Sequence, residues 1–328
     1  MTSCKNMIPN NTMDKAGKVL FLDSTHPCLQ IELEGMGYQC IMAPEISRDE
    51  LKKRLPSLTG IIVRSKLILD RELLGLGHNL RFIGRVGSGM ENIDVDYARS
   101  KGIACLNSPE GNRQAVGEHA VGLLLALMNK ICAADREVRN GVWKREANRG
   151  SELSGKTVGI IGYGNTGSAF ARCLSGFGCH TMAYDKYKTR FGNDYVEEAD
   201  MDEVFRRADI LSLHVPLTEE TDYLVTREYL SRFHKPIYFI NTSRGRVVCT
   251  SDLVDALYEG KVLGAALDVL EYEDLTIDKL DKSALPAKFQ NLTSLPNVVL
   301  TPHVAGWTAE SKIKLARVLA DKIRNVNL

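Results

Sequence analysis

A glycine motif in the middle of the chain constrains the fold more than any other feature of the sequence. Gly162, Gly164 and Gly167 have the spacing G-x-G-x-x-G, between the apolar segment TVGII and the helix-like segment SAFARCL. In a strand–turn–helix unit the first glycine permits a tight turn, the second lets the backbone approach a pyrophosphate, and the third lets the helix pack closely on the strand. The helix N-terminus then points its unpaired N–H groups at the phosphates. The motif therefore predicts a dinucleotide site on an α/β sheet.

An aspartate downstream indicates which dinucleotide is bound. Asp185 ends the next strand segment, CHTMAY, at about the ~20-residue distance expected of a carboxylate that binds ribose hydroxyls. A carboxylate repels a 2′-phosphate, so the sequence predicts NAD and makes NADP the less favoured cofactor. Three cations follow this aspartate and would soften the preference unless they are solvated loop charges: Lys186, Lys188 and Arg190. The predicted cofactor contacts in the glycine turn are Gly162, Tyr163, Gly164, Asn165, Thr166 and Gly167.

Strand-like and helix-like segments alternate along the 328 residues, which predicts an α/β protein of two doubly wound domains. Four strand segments precede the glycine motif (KVLFLDS, YQCIMAP, GIIVRS and RFIGRVG), and six run from KTVGIIGYG to NVVLTPH. Helical spacing over 112–140 predicts one long helix that leads into the second domain, and an amphipathic helix is expected after His303. We expect residues 1–110 and 304–328 to form a flavodoxin-like substrate domain, with a Rossmann NAD-binding domain, 111–303, inserted into it.

Composition argues against several classes of partner. The formal net charge of +1 does not suit a nucleic-acid-binding face, and no apolar run reaches the roughly 18 residues of a membrane span. The polar first residues do not form a signal peptide. The eight cysteines contain no C-x-x-C pair, which favours reduced thiols and a cytoplasmic location. No metal site is expected, because no second His or Cys lies at ligand spacing from His303. A small molecule is the expected partner.

Three later strand segments end in polar residues that suit hydride-transfer chemistry. Arg244 follows INTS, Glu273 follows GAALDV, and His303 follows VVLTP. In open α/β sheets ligands bind at the carboxyl ends of the strands. A guanidinium can hold a carboxylate and polarise a ketone, and an imidazole can give a proton to the developing alkoxide. Singly, these residues are more often a surface Arg, a solvated Glu and a core His, so the prediction rests on their combination.

From about Lys18 onward the chain resembles the D-isomer-specific 2-hydroxyacid dehydrogenase family. Similar motifs run in order: IIVRS, GRVGSGMENID, LNSPEGN, the glycine motif, HVPLTEET, NTSRG, GAALDV and TPHVAGWT. The resemblance implies a homodimeric oxidoreductase that transfers hydride between NAD(H) and a D-2-hydroxy acid or 2-keto acid. It also implies catalytic roles for Arg244, for His303 as proton donor, and for Glu273 as the carboxylate that favours the protonated imidazole and fixes its orientation.

The resemblance extends to further contacts. The implied substrate contacts are Arg64, Ser65, Ser88, Gly89 and Asn107, of which Ser88 and Gly89 lie in a glycine turn suited to an anion. For Asn107, substrate contact and ordering of the hinge remain alternatives. Beyond the glycine turn, the implied cofactor contacts are Asp185, His214, Val215, Pro216, Thr242 and Asp268. The remaining histidines are expected to be structural: His26, His78, His119, His180 and His234.

One segment departs from the family pattern. The family usually has Glu-Pro where this chain has Glu273-Asp274, followed by the long connection LTIDKLDKSALPAKFQNLTSLP. Without the rigid proline, Glu271 remains an alternative to Glu273. The extra length is expected to be a tolerated surface insertion.

The substrate prediction rests on two cations. Arg64 and Lys66 lie where phosphoglycerate dehydrogenases place cations for the substrate phosphate, so 3-phosphoglycerate is the leading expectation. The expected protein is most like such an enzyme without the C-terminal regulatory domain. Reduction of glyoxylate or hydroxypyruvate is the alternative, since two cations after a strand are often only solvated. Corepressor-like relatives bind NAD without catalysis, and formate dehydrogenases carry glutamine where Glu273 stands; the combination of Arg244, Glu273 and His303 favours a hydroxyacid dehydrogenase.

Overall fold

The computed structural model describes residues 17–273 and 285–326. The chain separates into two compact units, one formed by the residues up to Gly111 together with those from Lys312, and the other by Asn112–Ser311. Each unit contains a parallel sheet with apolar side chains packed on both faces. The predicted fold class, two doubly wound α/β domains, is confirmed. The chain passes between the units near residues 111 and 311, whereas the sequence placed the second boundary at 303.

The first unit has the strand order of flavodoxin-like folds. Its sheet runs β2-β1-β3-β4-β5, so the order reverses between β1 and β3, which is where such sheets bind ligands. The strands are β1 (Lys18–Phe21), β2 (Gln39–Met42), β3 (Gly60–Val63), β4 (Phe82–Arg85) and β5 (Ala104–Asn107). The helices are α1 (Pro27–Gly35), α2 (Arg48–Arg54), α3 (Arg71–Leu76), α4 (Val95–Ser100) and, from the end of the chain, α12 (Ala309–Asn325).

Helix α12 supplies part of the core of the first unit. Leu315 and Leu319 are buried in a cluster on one face of the sheet that also contains Phe82. On the same side of the helix, Lys322 Nζ donates to the carbonyl oxygen of Asn107 at 3.0 Å and to Glu110 Oε1 at 2.8 Å. The predicted amphipathic pattern thus corresponds to a helix with one buried face.

The second unit has the Rossmann strand order with one added strand. Its sheet runs β12-β11-β10-β9-β6-β7-β8, and the order reverses between β6 and β9. The strands are β6 (Thr157–Ile161), β7 (His180–Tyr184), β8 (Glu197–Glu198), β9 (Ile210–Leu213), β10 (Ile237–Asn241), β11 (Val262–Leu267) and β12 (Val298–Leu300). The helices are α5 (Arg113–Met128), α6 (Ile131–Arg139), α7 (Asn165–Leu174), α8 (Met201–Arg207), α9 (Arg227–Ser231), α10 (Thr250–Tyr258) and α11 (Ala287–Ser294). The sequence predicted six of these strands; β8, with two residues, is too short to produce a periodic pattern.

The single long helix predicted over 112–140 is wrong. The chain breaks after α5 at Lys130, whose φ of 52° is left-handed, and α6 leaves at a bend of 60°. Helix α5 is a core helix and passes so close to α7 that a Cβ on Gly117 would lie 2.9 Å from the Ala169 backbone. Helix α6, in contrast, buries none of its residues. No single helix of the described residues has the length and apolar character needed to cross a membrane, and α5 and α6 meet that test only as a bent pair.

The long connection after Glu273 is not entirely a surface insertion. Asp274 and the residues up to Ala284 lie outside the described residues. Beyond them, α11 buries Phe289 and Leu292, which are 1% and 0% exposed, in the core of the second unit. These two residues are three positions apart and therefore share one helical face, so the end of the connection contributes to the fold.

The described cysteines are all free thiols. Burial raises the pKa of Cys40 to about 11, so this thiol is protonated at neutral pH. In the described part of the chain, no group of three or more His, Cys, Asp or Glu side chains could hold a metal ion.

Candidate active site

The glycine motif forms the turn from β6 into α7, where the strand order of the second unit reverses. Gly162 has a φ of 91°, and a Cβ there would lie 2.5 Å from the carbonyl oxygen of His214. A Cβ on Gly167 would overlap the carbonyl oxygen of Gly162. A Cβ on Gly164, in contrast, would meet no atom within 4 Å. The middle glycine therefore borders open space at the start of α7, as close approach of a pyrophosphate requires.

The other three predicted residues of the turn belong to α7 or to the core. Asn165 and Thr166 begin α7. Tyr163 is 7% exposed, and its ring stacks on Phe191 with centroids 4.7 Å apart. Its side chain thus belongs to the core, and only its backbone faces the turn.

His214 supports the turn as a neutral side chain. One ring nitrogen lies 2.9 Å from Ser212 Oγ and the other 3.2 Å from Thr166 Oγ1. Burial lowers the pKa of His214 to about 3. At neutral pH the His214 imidazole is therefore uncharged and does not attract a phosphate. Its contact with Thr166 Oγ1 orients that side chain instead.

Asp185 organises the rim of a large pocket beside the glycine turn. Its Oδ2 accepts from the Tyr163 N–H at 2.8 Å, and its Oδ1 accepts from the N–H groups of Tyr187 and Lys188 at 3.0 Å. A carboxylate has about four acceptor positions, so these three bonds leave capacity for a ligand hydroxyl. The pocket has a volume of about 550 Å³, within the usual range for small-molecule sites. Its apolar lining includes Met201, Val215, Pro216, Leu224 and the ring of Tyr229.

Two of the cations that follow Asp185 already have partners. Lys186 Nζ lies 2.7 Å from Glu220 Oε1. Lys188 Nζ donates to the carbonyl oxygen of Tyr163 at 2.9 Å. These contacts reduce the attraction that either lysine offers to an added phosphate.

The carboxyl ends of β10, β11 and β12, which are neighbours in the sheet, carry the predicted catalytic residues. Arg244 follows β10 in a turn that Asn241 holds: Asn241 Nδ2 donates to the Arg244 carbonyl oxygen at 2.9 Å, and its Oδ1 accepts from the Ser243 N–H at 3.0 Å. A Cβ on Gly245 would overlap the Leu270 backbone, so the loop after β11 lies directly against this turn. Sequence reasoning missed the positioning role of Asn241, which is 1% exposed.

His303 and Glu273 form a direct pair. His303 Nδ1 lies 3.0 Å from Glu273 Oε1. Because a carboxylate only accepts hydrogen bonds, Nδ1 is the donor in this pair, and Nε2 is the ring nitrogen left for other chemistry. Glu271 faces elsewhere, since its carboxylate accepts from Tyr223 Oη at 2.9 Å and from the Thr250 N–H at 2.8 Å. The geometry thus distinguishes the two glutamates that the sequence left as alternatives.

Asp268 points into the protein. It is 1% exposed and accepts from Thr301 Oγ1 at 2.6 Å, from the Val304 N–H at 2.9 Å and from the Ala305 N–H at 2.8 Å. Burial opposes its ionisation, but hydrogen bonds from His119, Thr301 and the two N–H groups outweigh burial and hold the pKa of Asp268 below its usual value. The carboxylate therefore fixes the loop that follows β12.

That loop holds His303 in an unusual backbone conformation. The φ of His303 is 54°, in the left-handed region that few non-glycine residues adopt. Its N–H donates to the carbonyl oxygen of Asp268 at 2.7 Å. His119, which the sequence assigned a structural role, lies behind this arrangement, with Nε2 3.1 Å from Thr301 Oγ1 and 3.5 Å from Asp268 Oδ1.

The second unit has features that fit a dinucleotide. The hydroxyl of Thr242 is buried and has no hydrogen-bond partner among the described residues, a condition that a polar group of a bound ligand would relieve. The open space at Gly164 and the pocket beside Asp185 lie in the same unit. Asp268, also predicted to contact the cofactor, is instead buried and bonded to Thr301, Val304 and Ala305. Val215 and Pro216 line the pocket.

The predicted substrate contacts lie in the first unit, at the carboxyl ends of β3, β4 and β5. Arg64 and Ser65 follow β3, Ser88 and Gly89 follow β4, and Asn107 ends β5. These strands are neighbours, so the residues share one edge of the sheet.

Hydrogen bonds within the first unit order this edge. Asn107 Nδ2 donates to the Ser88 carbonyl oxygen at 2.6 Å, so Asn107 orders the turn that contains Ser88 and Gly89. The Arg64 N–H donates to Asp23 Oδ2 at 2.6 Å, across the point where the strand order reverses. Nothing in the sequence indicated that Asp23 positions Arg64. Lys66 Nζ lies 3.5 Å from Glu45 Oε2.

Comparison with known proteins agrees with this geometry. Residues 121–305 match the family model described as D-isomer specific 2-hydroxyacid dehydrogenase, NAD binding domain. A hydroxypyruvate reductase of Thermotoga maritima is 36% identical over 314 residues, which cover 96% of this chain and 95% of that protein. A D-3-phosphoglycerate dehydrogenase of Archaeoglobus fulgidus is 36% identical over 283 residues, which cover 86% of this chain but 52% of that protein. The structure of D-lactate dehydrogenase of Aquifex aeolicus with NAD and lactic acid superposes with a TM-score of 0.79 at 27% identity, covering 94% of both chains.

The glycine turn yields a prediction that separates binding from folding. Gly164→Ala leaves the melting temperature close to that of the wild type, because the added Cβ meets no atom, but it weakens dinucleotide binding by occupying the space beside the backbone. Gly167→Ala lowers the melting temperature, because its Cβ overlaps a backbone oxygen. Thermal unfolding and NADH fluorescence titration measure the two effects.

Gly122→Ala is the matched control, since this helical position is exposed and a Cβ there also meets no atom within 4 Å. It should leave NADH binding intact, and its melting temperature should not fall, because alanine is favoured over glycine in a helix interior. Unchanged NADH affinity in Gly164→Ala would contradict the placement of the pyrophosphate.

Proposed function

Because the chain belongs to the D-isomer specific 2-hydroxyacid dehydrogenase family, whose members are NAD(P)-dependent oxidoreductases, we propose that Arg244, Glu273 and His303 carry its catalytic chemistry. The observation that supports this proposal most directly is the 3.0 Å contact between His303 Nδ1 and Glu273 Oε1. In addition, His303 has a left-handed backbone conformation, which is uncommon for a non-glycine residue and which clusters at functional sites.

Each of the three residues has a distinct task. Arg244 binds the substrate carboxylate and polarises the keto oxygen, since its guanidinium presents several donors and stays charged. His303 Nε2 gives a proton to the alkoxide oxygen during reduction and takes it back during oxidation. Glu273 fixes the ring so that Nε2 faces the substrate, and it stabilises the charged imidazolium.

The chain's own residues hold the cofactor. The start of α7 and Gly164 bind the pyrophosphate, Asp185 binds the ribose hydroxyls of the adenosine half, and the Thr242 hydroxyl bonds a polar group of the nicotinamide half. The bound dinucleotide supplies the hydride for reduction or accepts it in oxidation. We propose NAD over NADP, because the Asp185 carboxylate lies at the proposed ribose site and disfavours a 2′-phosphate, and because Lys186 and Lys188 already have partners.

For the substrate we propose hydroxypyruvate or glyoxylate. A relative that matches over nearly the full length of both proteins is a hydroxypyruvate reductase. In addition, Lys66, one of the two cations expected to bind a phosphate, lies opposite Glu45. A second candidate, 3-phosphoglycerate, is favoured by the position of Arg64 directly after β3. In either case we propose that Arg244 holds the substrate carboxylate.

Removal of the proton donor tests the catalytic assignment. His303→Asn should lower kcat for 2-keto acid reduction by about 100-fold or more, the range expected for loss of a general acid. The dissociation constant for NADH, measured by fluorescence titration, should change little. An equal loss of NADH affinity would indicate a structural histidine.

Glu273→Gln and Glu271→Gln form a matched pair within the same loop. The first should lower kcat by at least about tenfold, since the amide cannot stabilise the imidazolium. The second should leave kcat within about twofold, because Glu271 contacts Tyr223 and Thr250 and not His303. The reverse ranking would transfer the role to Glu271.

Steady-state kinetics with three keto acids test the substrate proposal. We expect kcat/KM to be higher for hydroxypyruvate and glyoxylate than for 3-phosphohydroxypyruvate. Arg64→Ala should then affect all three substrates to a similar extent. A preference for the phosphorylated compound that Arg64→Ala abolishes would establish the second candidate instead.

We also propose that the protein is a cytoplasmic homodimer. Helix α6 has no buried residue, and it exposes Ile131 and Val138 by 53% and 52%; the following loop exposes Trp143 by 77%. Such an apolar surface is typical of an interface, and a second copy of this chain is the proposed occupant.

Light scattering after gel filtration tests the dimer. The wild type should have twice the mass of the chain, and Val138→Glu combined with Trp143→Glu should be monomeric. Tyr258→Glu is the control, because Tyr258 is 62% exposed on a different helix, α10. A wild-type monomer, or a double variant that remains dimeric, would disprove the proposed interface.

A further inference from the structure

Two loops meet at the rim of the 550 Å³ pocket. Lys186 and Tyr187 come from the loop after β7, and Glu220 comes from the loop after β9; all three line the pocket. Lys186 Nζ lies 2.7 Å from Glu220 Oε1, and Tyr187 Oη donates to Glu220 Oε2 at 2.5 Å. Both oxygens of the Glu220 carboxylate are therefore engaged by the loop that begins at Asp185.

The position of Lys186 makes this contact important for cofactor choice. Lys186 directly follows Asp185, the carboxylate proposed to bind the ribose hydroxyls. A cation at this place would attract the 2′-phosphate that distinguishes NADP from NAD. The side chain of Lys186 remains 55% exposed, so it is accessible to a ligand, but its charge is offset by Glu220.

Glu220 is a charged partner at neutral pH. Hydrogen bonds from Lys186 and from Tyr187 hold the pKa of Glu220 below its usual value. The pocket thus has two carboxylates on the described part of its rim, Asp185 and Glu220.

The pocket's other lining cation is also paired. Arg232 lies 3.2 Å from Asp202 Oδ1, and its guanidinium stacks 4.0 Å above the ring of Phe205. Both cations that line the pocket in the described part of the chain therefore have a carboxylate partner. Lys186 is the one adjacent in sequence to Asp185.

We propose that Glu220 is a second determinant of the preference for NAD over NADP. It neutralises Lys186, and it adds a negative charge that repels a 2′-phosphate. The proposal rests on the proposed function in one respect, namely that this pocket binds the adenosine half of the cofactor.

Direct binding measurements test the proposal without reference to turnover. Glu220→Gln keeps the shape of the side chain but removes its charge, so the charge of Lys186 is no longer offset. The dissociation constants of NADPH and of adenosine 2′,5′-bisphosphate should fall by about two- to fivefold, the range expected for an exposed charge pair. Those of NADH and of ADP should stay within about twofold of the wild type. Isothermal titration calorimetry measures all four ligands.

Glu219→Gln is the matched control. This substitution changes the net charge of the protein by the same amount at the neighbouring position, but Glu219 is exposed and does not line the pocket. It should leave the ratio of the NADPH and NADH dissociation constants unchanged. An equal shift in both variants would assign the effect to net charge and overturn the proposal.

A double variant separates the release of Lys186 from the loss of repulsion. If Lys186 provides the new attraction, Lys186→Ala in the Glu220→Gln background should remove most of the gain in NADPH affinity. A gain that persists in full would overturn the neutralising role. The gain should also shrink as the salt concentration rises, because the charges are exposed.

The two proposals fail in distinguishable ways. If the wild type binds neither NADH nor ADP, the assignment of the pocket to the cofactor is wrong. If the wild type binds NADH and Glu220→Gln leaves the affinity for NADPH unchanged, the cofactor assignment stands and the role of Glu220 is wrong.

Discussion

The buried carboxylate of Asp268 is the interaction on which the candidate catalytic arrangement depends. An ionised group that is 1% exposed is stable only if strong hydrogen bonds replace its hydration. Thr301 and the N–H groups of Val304 and Ala305 provide them. These bonds anchor the loop that carries His303, whose left-handed backbone conformation costs about 1–3 kcal/mol.

The sequence predicted those site residues for which both the residue type and the position along the chain point to a function. Gly162 and Gly167 are required by backbone crowding, and a short motif records that requirement. His303 was found because it ends a strand segment and because the surrounding motif resembles a family. The contact between His303 and Glu273 could only be expected, because a distance between two loops depends on how adjacent strands are packed. The structure adds that distance and the reason why Glu271 is not the partner.

The features that the sequence did not reveal depend on contacts between segments far apart along the chain. His119 lies on α5 and reaches Thr301, yet an isolated histidine on an apolar helix is identical in pattern to a core residue. Asn241 fixes the turn of Arg244 through its side chain, and nothing in the segment INTS indicates this. The break at Lys130 also escaped detection, because the helical periodicity continues through it, although α5 buries nine of its residues and α6 buries none.

Carboxylate partners change how the cations of this protein should be interpreted. Lys66 and Lys186 each follow a strand at the carboxyl edge of a sheet, and each suggests a phosphate site from sequence alone. In the structure Lys66 lies 3.5 Å from Glu45, and Lys186 lies 2.7 Å from Glu220. Because each partner comes from a different loop, local charge patterns overestimate the affinity for phosphate in both units. The same physical argument supports both proposals, an unphosphorylated keto acid as substrate and NAD, without the 2′-phosphate, as cofactor.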